Sequence, residues 1–199
     1  MAEGLGNVRV GNTRHALKDR KDDLYETPSV AVETLLRCET LPLRIWEPAA
    51  GRRAIASILE SAGHEVFCTD LVRRDAEGVL EGIDFLMEQQ AFMGLECIVT
   101  NPPFKLADEF IRHGLRLCPK VIMLLRWAYA EGAGRSDIID GHLSRVWLGK
   151  ERLPMMHRDG WEGNKESVSG QPFAWFVFER EPETPGQFTV RRMSWREQR

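Results

Sequence analysis

Cys97-Ile98-Val99-Thr100-Asn101-Pro102-Pro103-Phe104 is an apolar run of strand length that passes without a spacer into an asparagine, two prolines and an aromatic ring. The two prolines remove two backbone donors and stiffen the chain. Two acceptors remain beside them, the Asn101 side-chain carbonyl and the Pro102 backbone carbonyl, and a pair of fixed acceptors suits an NH2 group with two hydrogens. An exocyclic amine is a poor nucleophile because its lone pair is delocalised into the ring. Holding both hydrogens favours a more tetrahedral nitrogen and places negative potential where positive charge develops in the transition state. Phe104 offers a stacking face for a planar base. The competing reading is a strand-to-helix turn with a capping Asn, which has no need of this quartet.

Working outward, the chain alternates between helical and strand-like segments. Upstream, Thr27-Pro28 opens a helix to about Cys38, with Thr27 as cap and Pro28 in the first turn. Leu43 to Trp46 reads as a short strand ending in Glu47-Pro48-Ala49-Ala50-Gly51, and a helix is expected from Arg53 to Ser61, terminated by Gly63. Glu65 to Thr69 is a second strand ending at Asp70, and Gly82 to Phe85 a weaker third. Downstream, a helix over Leu106 to Leu117 leads to the apolar strand Val121 to Leu125. Two more strand candidates, Arg145 to Leu148 and Phe173 to Phe178, flank a polar loop and suit a hairpin-like arrangement. Strands apolar on both faces and separated by helices indicate a mainly parallel sheet covered on both sides. The expected fold is α/β and doubly wound, with an antiparallel C-terminal strand pair.

With 199 residues the chain fits one domain with a full core. We expect a basic, flexible arm over residues 1–21 and a single domain over 22–199. At 43% hydrophobic and 29% charged it has ordinary globular composition. No apolar run reaches membrane-spanning length, and Met1 to Arg20 lacks the apolar core of a secretory signal, so a cytoplasmic location is expected. Cys38, Cys68, Cys97 and Cys118 are widely spaced, without a C-x-x-C pair, and read as buried reduced thiols. The five histidines show no ligand spacing, so no protein-bound metal is expected. A net charge of −3 argues against indiscriminate coating of nucleic acid. Both ends are nevertheless basic: Arg9, Arg14, Lys18, Arg20 and Lys21 at one, Arg191, Arg192, Arg196 and Arg199 at the other. Such ends can track phosphates.

In a doubly wound sheet, ligands bind beyond the carboxyl ends of the strands, and each strand here ends in usable chemistry. Glu47 and the small Ala49-Ala50-Gly51 turn precede a helix whose free amides favour a carboxylate or other anion. Asp70 is placed for ribose hydroxyls. Asp84-Phe85 offers an acceptor and an apolar face for a purine. Singly these are helix caps or turn residues; in this order they fit an adenosine-type pocket. The chain has no G-x-x-x-x-G-K-[ST] and no complete G-x-G-x-x-G, which removes the P-loop and counts against a nicotinamide dinucleotide.

These residues resemble the class I S-adenosylmethionine-dependent methyltransferases, and within them the amino-group DNA methyltransferases that act on adenine N6 or cytosine N4. The resemblance runs from about Tyr25 to Leu125. The chain is similar to small phage-type N6-adenine DNA methyltransferases, in which Tyr-x-Thr-Pro precedes Glu-Pro-Ala-x-Gly; here these are Tyr25-Glu26-Thr27-Pro28 and Glu47-Pro48-Ala49-Ala50-Gly51. The resemblance implies a Rossmann-like methyltransferase sheet and S-adenosyl-L-methionine as cofactor. Its methionine end would be held by Tyr25, Thr27, Pro28, Glu47, Pro48, Ala49 and Gly51, its ribose by Asp70 with Leu71, and its adenine by Asp84 and Phe85. Asn101 borders both cofactor and target, and Asn101, Pro102, Pro103 and Phe104 correspond to the catalytic motif. The order of motifs, and Phe rather than Tyr after Pro-Pro, agree with adenine-directed enzymes. One departure is Arg53 where the family usually has a second glycine; its side chain would either narrow the pocket or bind the cofactor carboxylate.

The implied mechanism flips the target base out, stacks it on Phe104 and holds its amino group on Asn101 and Pro102. No covalent enzyme intermediate is required. The implied partner is nucleic acid, DNA favoured over RNA, with no membrane; monomer and homodimer are both compatible. Basic and aromatic residues suited to nucleic acid are Arg126, Trp127, Tyr129 and Arg135, then Arg145, Lys150, Arg152, His157, Arg158 and Trp161. The alternatives are methylation of RNA bases or of a protein glutamine, whose amide presents the same two hydrogens, and a non-catalytic nucleic-acid-binding module.

Overall fold

Apolar residues that alternate along a strand and are buried on both sides require a sheet with two covered faces, and the strands of this chain meet that requirement. The computed structural model describes residues 25–92, 94–154 and 168–196. Its strands are β1 (Arg44–Glu47), β2 (Glu65–Asp70), β3 (Leu80–Glu81), β4 (Cys97–Thr100), β5 (Lys120–Arg126), β6 (Leu143–Gly149), β7 (Phe173–Glu179) and β8 (Thr189–Met193). They form one sheet in the order β3-β2-β1-β4-β5-β7-β6-β8. The first five run parallel; β7 alone is reversed and pairs antiparallel with both β5 and β6. The parallel partner of β6 on its outer side is β8.

Helices α1 (Ser29–Cys38) and α2 (Ala56–Ser61) cover one face, and α3 (Ala107–Leu117) and α4 (Ser136–His142) the other. Alternation in β5 sends Ile122 and Leu124 to the α1 side and Val121, Met123 and Leu125 to the α3 side. Strand β7 repeats the pattern with Trp175 and Val177 against Phe176 and Phe178. The indole Nε1 of Trp175 donates to the Ala31 carbonyl at 2.9 Å, which fixes the height of α1 on the sheet. Cys68, Cys97 and Cys118 are buried free thiols, and burial pushes the Cys68 thiol up to about 12 and that of Cys118 up to about 11.

The doubly wound α/β reading therefore holds, and β6 and β7 do pair antiparallel. Some boundaries differ from expectation. Helix α2 begins at Ala56 rather than Arg53, because Arg53 takes φ +65, a left-handed conformation outside any α-helix. The third strand is Leu80–Glu81, while Phe85–Met87 forms one 3-10 turn after it. Strand β8 was hidden inside what reads as a basic terminus, since four of its five residues are exposed and two are arginines. The expected arm over 1–21 lies outside the described residues, as do His157, Arg158, Trp161 and Arg199.

One ion cluster joins α1 to the far half of the sheet. Glu39, just past α1, has a side chain 4% exposed. It accepts from Lys120 Nζ at 2.7 Å, Arg145 Nε at 2.7 Å and Trp147 Nε1 at 2.9 Å. Burial alone would raise its carboxyl, but the bonds from Arg145, Lys120 and Trp147 outweigh burial and hold it at about 2. Removing one partner of a buried pair strands the others. Glu39→Ala is expected to cost about 3–5 kcal/mol in urea unfolding at neutral pH. Because the folded-state value lies below the ordinary carboxylate value, the contribution is present in full above pH ~4.5 and disappears as pH falls from there towards 2. The difference between wild type and Glu39→Ala should shrink over that window.

Candidate active site

The carboxyl ends of β1, β2 and β4 lie side by side, and the chain leaving each one shapes a common cavity of about 300 Å³. Past β1 the loop folds back on β2: Ala50 N donates to the Thr69 carbonyl at 3.0 Å, and Gly51 N to Asp70 Oδ2 at 2.7 Å. Gly51 has φ +53, which a glycine takes without strain. Glu47, 2% exposed, accepts from Ala56 N at 2.9 Å. Burial raises its carboxyl well above the ordinary range despite that bond, and the neighbouring Asp70 adds to the rise. This corrects one expectation: the amide at the start of α2 is taken by the chain's own Glu47 and is not open to an outside anion.

Neither role imagined for Arg53 is seen. Its guanidinium turns away from the cavity, pairs with Glu60 and donates to the Glu77 carbonyl at 3.1 Å, lying over Gly78. Arg52 lines the cavity instead.

At the end of β2, Asp70 is 7% exposed and accepts from Gly51 N through one oxygen and from Val72 N at 2.7 Å through the other. A carboxylate has about four acceptor positions, so both oxygens retain capacity toward the cavity. Asp84 caps the 3-10 turn by accepting from Leu86 N at 3.0 Å. Phe85 reaches the cavity wall but is 2% exposed, and it packs edge-on against Trp46 at 5.2 Å and beside Phe110 at 4.8 Å. It is a core residue with an edge on the cavity more than an open stacking face.

At the end of β4, Asn101 Nδ2 donates to Thr27 Oγ1 at 3.1 Å. This bond sets the amide so that Oδ1 points the other way, and it shows what Thr27 does: α1 has Pro28 at its cap position and no side-chain cap bond. The expected capping by Thr27 is thus replaced by anchoring of Asn101. The Pro103 carbonyl accepts from Leu106 N at 2.9 Å. Phe104 has Tyr25 at 6.2 Å, Phe173 at 6.0 Å and the Arg126 guanidinium 4.7 Å above its ring. Phe173 went unnoticed in the sequence as a site residue. Its place follows from the antiparallel register that sets Arg126 opposite Phe173, which no local pattern announces.

The cavity brings together Tyr25, Thr27, Glu47, Pro48 and Ala49 from one side, Asp70, Leu71, Asp84 and Phe85 from another, and Asn101, Pro102, Pro103 and Phe104 from the third. Of the expected residues only Pro28 and Gly51 stay behind the wall. Ile83, Leu86 and Arg74 line it as well, without having been singled out beforehand. Among the described residues, no group of His, Cys, Asp or Glu is placed to hold a metal ion, and no helix is long and apolar enough to cross a membrane.

No family model matches the sequence and no curated protein does. Solved structures match in shape. A Pyrococcus horikoshii protein provisionally described as an RNA methyltransferase aligns over 80% of this chain and 88% of its own, with TM-score 0.57 and 15% identity. The 23S rRNA methyltransferase ErmE aligns over 83% of this chain and 72% of its own, with TM-score 0.53 and 13% identity. A dimethyladenosine transferase from Plasmodium falciparum aligns over 78% and 62%, with TM-score 0.50 and 10% identity. At these identities the likeness is one of fold: the chain has the Rossmann-like methyltransferase fold.

Arg53 supplies a test of the loop. A left-handed conformation costs a side-chain-bearing residue about 1–2 kcal/mol, and a partly exposed ion pair returns about 0–1 kcal/mol. Arg53→Gly is expected to leave unfolding free energy within about 1 kcal/mol of wild type. Arg53→Val, β-branched at positive φ, should lose about 2 kcal/mol or more by urea titration.

Proposed function

We propose that this chain is an S-adenosylmethionine-dependent methyltransferase acting on an exocyclic amino nitrogen, N6 of adenine in DNA by preference. The observation that carries the reading is the opening of Asn101-Pro102-Pro103-Phe104 onto the same cavity that Glu47, Asp70 and Asp84 line. A buried carboxyl whose ionisation is opposed by burial fits a ligand that brings a cation, such as the ammonium of a methionine moiety. Asp70 has acceptor capacity for ribose hydroxyls, and Asp84 with Ile83, Phe85 and Leu86 fits a purine. The cofactor, when bound, supplies an electrophilic sulfonium methyl group.

The chain's own residues do the rest. Asn101 Oδ1 and the Pro102 carbonyl accept the two amino hydrogens and raise electron density on the nitrogen. Thr27 holds the Asn101 amide in the orientation that makes this possible. Phe104, flanked by Tyr25 and Phe173, stacks the base and excludes water from one of its faces. The surplus proton leaves to solvent after transfer.

The preference for DNA rests on the resemblance to small phage-type enzymes and on Phe104. A second reading, the same transfer to RNA, is supported by the descriptions of the aligned rRNA methyltransferase and dimethyladenosine transferase. Methyl-labelled cofactor offered separately with unmethylated DNA, total RNA and protein lysate distinguishes them. N6-methyladenine in DNA is the expected product, and label in RNA or in protein overturns the DNA preference. Asn101→Ala should lower kcat by about 10²–10³ or more while cofactor affinity stays within about threefold; equal turnover in that variant removes the assignment.

The raised carboxyl of Glu47 has a second consequence. A bound ammonium favours the ionised form, so binding draws Glu47 back down and releases a proton wherever the free chain holds it protonated. Cofactor affinity should therefore rise with pH for as long as Glu47 is still losing its proton and the ligand ammonium is still charged. Below pH ~7, where the ligand ammonium is fully charged, calorimetry in buffers of different ionisation heat should detect proton release. Glu47→Gln should abolish that release.

A further inference from the structure

Reversal of β7 has a geometric result at the other end of the sheet. Because β6 and β8 each run parallel to β5, their carboxyl ends, Gly149 and Met193, lie on the same edge as Asn101. Four strand spacings separate β4 from β8 in the sheet order, about 19 Å at the usual inter-strand distance. At that end Arg37, Lys150, Arg192 and Arg196 line one cleft of about 450 Å³ together with Met193 and Ser194. All four cations are exposed. Ion pairs among the described residues engage Arg44, Arg53, Arg112, Lys120, Arg135 and Arg145, and none of these four.

The cleft is held rigidly. Lys150 N donates to the Met193 carbonyl at 2.7 Å, and Trp195 Nε1 to the Glu151 carbonyl at 2.9 Å, so the ends of β6 and β8 are tied together. The Glu151 carboxylate is occupied by Ser194 Oγ at 3.0 Å and by Trp195 N at 3.3 Å. Arg37 donates to Thr34 Oγ1 at 2.7 Å. Four cations without ion-pair partners among the described residues, gathered beside the single carboxylate of Glu151, leave the cleft net positive on a chain of net charge −3, and a run of phosphates relieves their repulsion.

We propose that this cleft binds the phosphate backbone of the nucleic acid whose base enters the seat at Phe104, so that the strand lies along the carboxyl edge of the sheet from β4 to β8. The proposal rests on the nucleic-acid reading of the substrate. About 19 Å across the sheet corresponds to roughly five or six nucleotides of a duplex strand at 3.4 Å each, so a trinucleotide stacked at that spacing stops short of the cleft.

The test uses the full chain with Lys150→Gln, Arg192→Gln and Arg196→Gln combined. Fluorescence anisotropy follows binding of labelled oligonucleotides, single- and double-stranded and about 24 nucleotides long, across a KCl series. The variant should bind at least tenfold more weakly at ~0.1 M salt, with a salt slope shallower by about two to three. Its methyl transfer to an adenine-containing trinucleotide should stay within about twofold of wild type. Unchanged oligonucleotide affinity and slope in a variant that still binds cofactor overturns the proposal, as does wild-type binding of polyglutamate as tight as that of the oligonucleotides. A wild-type chain that binds cofactor but no oligonucleotide removes the nucleic-acid reading itself, and the cleft with it.

Discussion

A buried carboxylate at the end of β1 accepts the first amide of α2, and the shape of the cavity depends on that contact. Were Glu47 to release Ala56, the loop from Pro48 to Ile55 would lose its tie to β1 and keep its bonds to Thr69 and Asp70 and those of the Arg53 side chain. The loop extends to Ile55 because α2 starts late, and α2 starts late because Arg53 sits at positive φ. The same carboxylate then faces the cavity with its ionisation opposed by burial. One side chain thus fixes a backbone turn and keeps an electrostatic demand that a cationic ligand satisfies. Such double use shows how a small α/β chain can build a cavity without a dedicated domain.

Much of this was legible in local pattern. Both-faces-apolar runs such as Val121 to Leu125 identify central parallel strands, and the β4 strand ending in Asn101-Pro102-Pro103-Phe104 marks the edge where chemistry gathers. What could not be read depends on long-range register or on single dihedrals. Phe173 joins Phe104 only because β7 is inverted. Thr27 looks like a helix cap because Thr before Pro commonly is one, yet its hydroxyl serves an amide 74 residues away. Strand β8 carries no apolar alternation strong enough to separate it from a charged tail, since its stability comes from pairing with β6 rather than from burial. Phe85 shows the reverse: an aromatic beside an acidic residue reads as an open ligand face, whereas the core claims most of it and leaves an edge on the cavity.

The two halves of the sheet divide the work. The half from β3 to β4 is parallel and bordered by acidic strand ends, Glu47 and Asp70, which suits a compact ligand with cationic and hydroxyl groups. The half from β5 to β8 contains the reversal, and its exposed strand ends carry cations. An acidic pocket beside a basic rim lets two ligands of opposite charge approach without competing for the same ground. The aromatic group of Tyr25, Phe104 and Phe173 lies on the border between them.

Helix α1 packs beside α2 and against Ile45, but the side-chain hydrogen bonds that dock it come from much later in the chain: Trp175 on Ala31, and Arg145 and Trp147 on Glu39. Its leading residues, Tyr25 and Thr27, form one wall of the cavity. During synthesis from the amino end at about 5–20 residues per second, the helix would wait roughly 7–30 s for Trp175 to emerge. Loop closure over such separations is slow and comes late in folding. The Thr27 hydroxyl that anchors Asn101 is therefore set in place late, after β7 has been threaded between β5 and β6, and a nascent chain cannot close this wall of the cavity before Trp175 has been made.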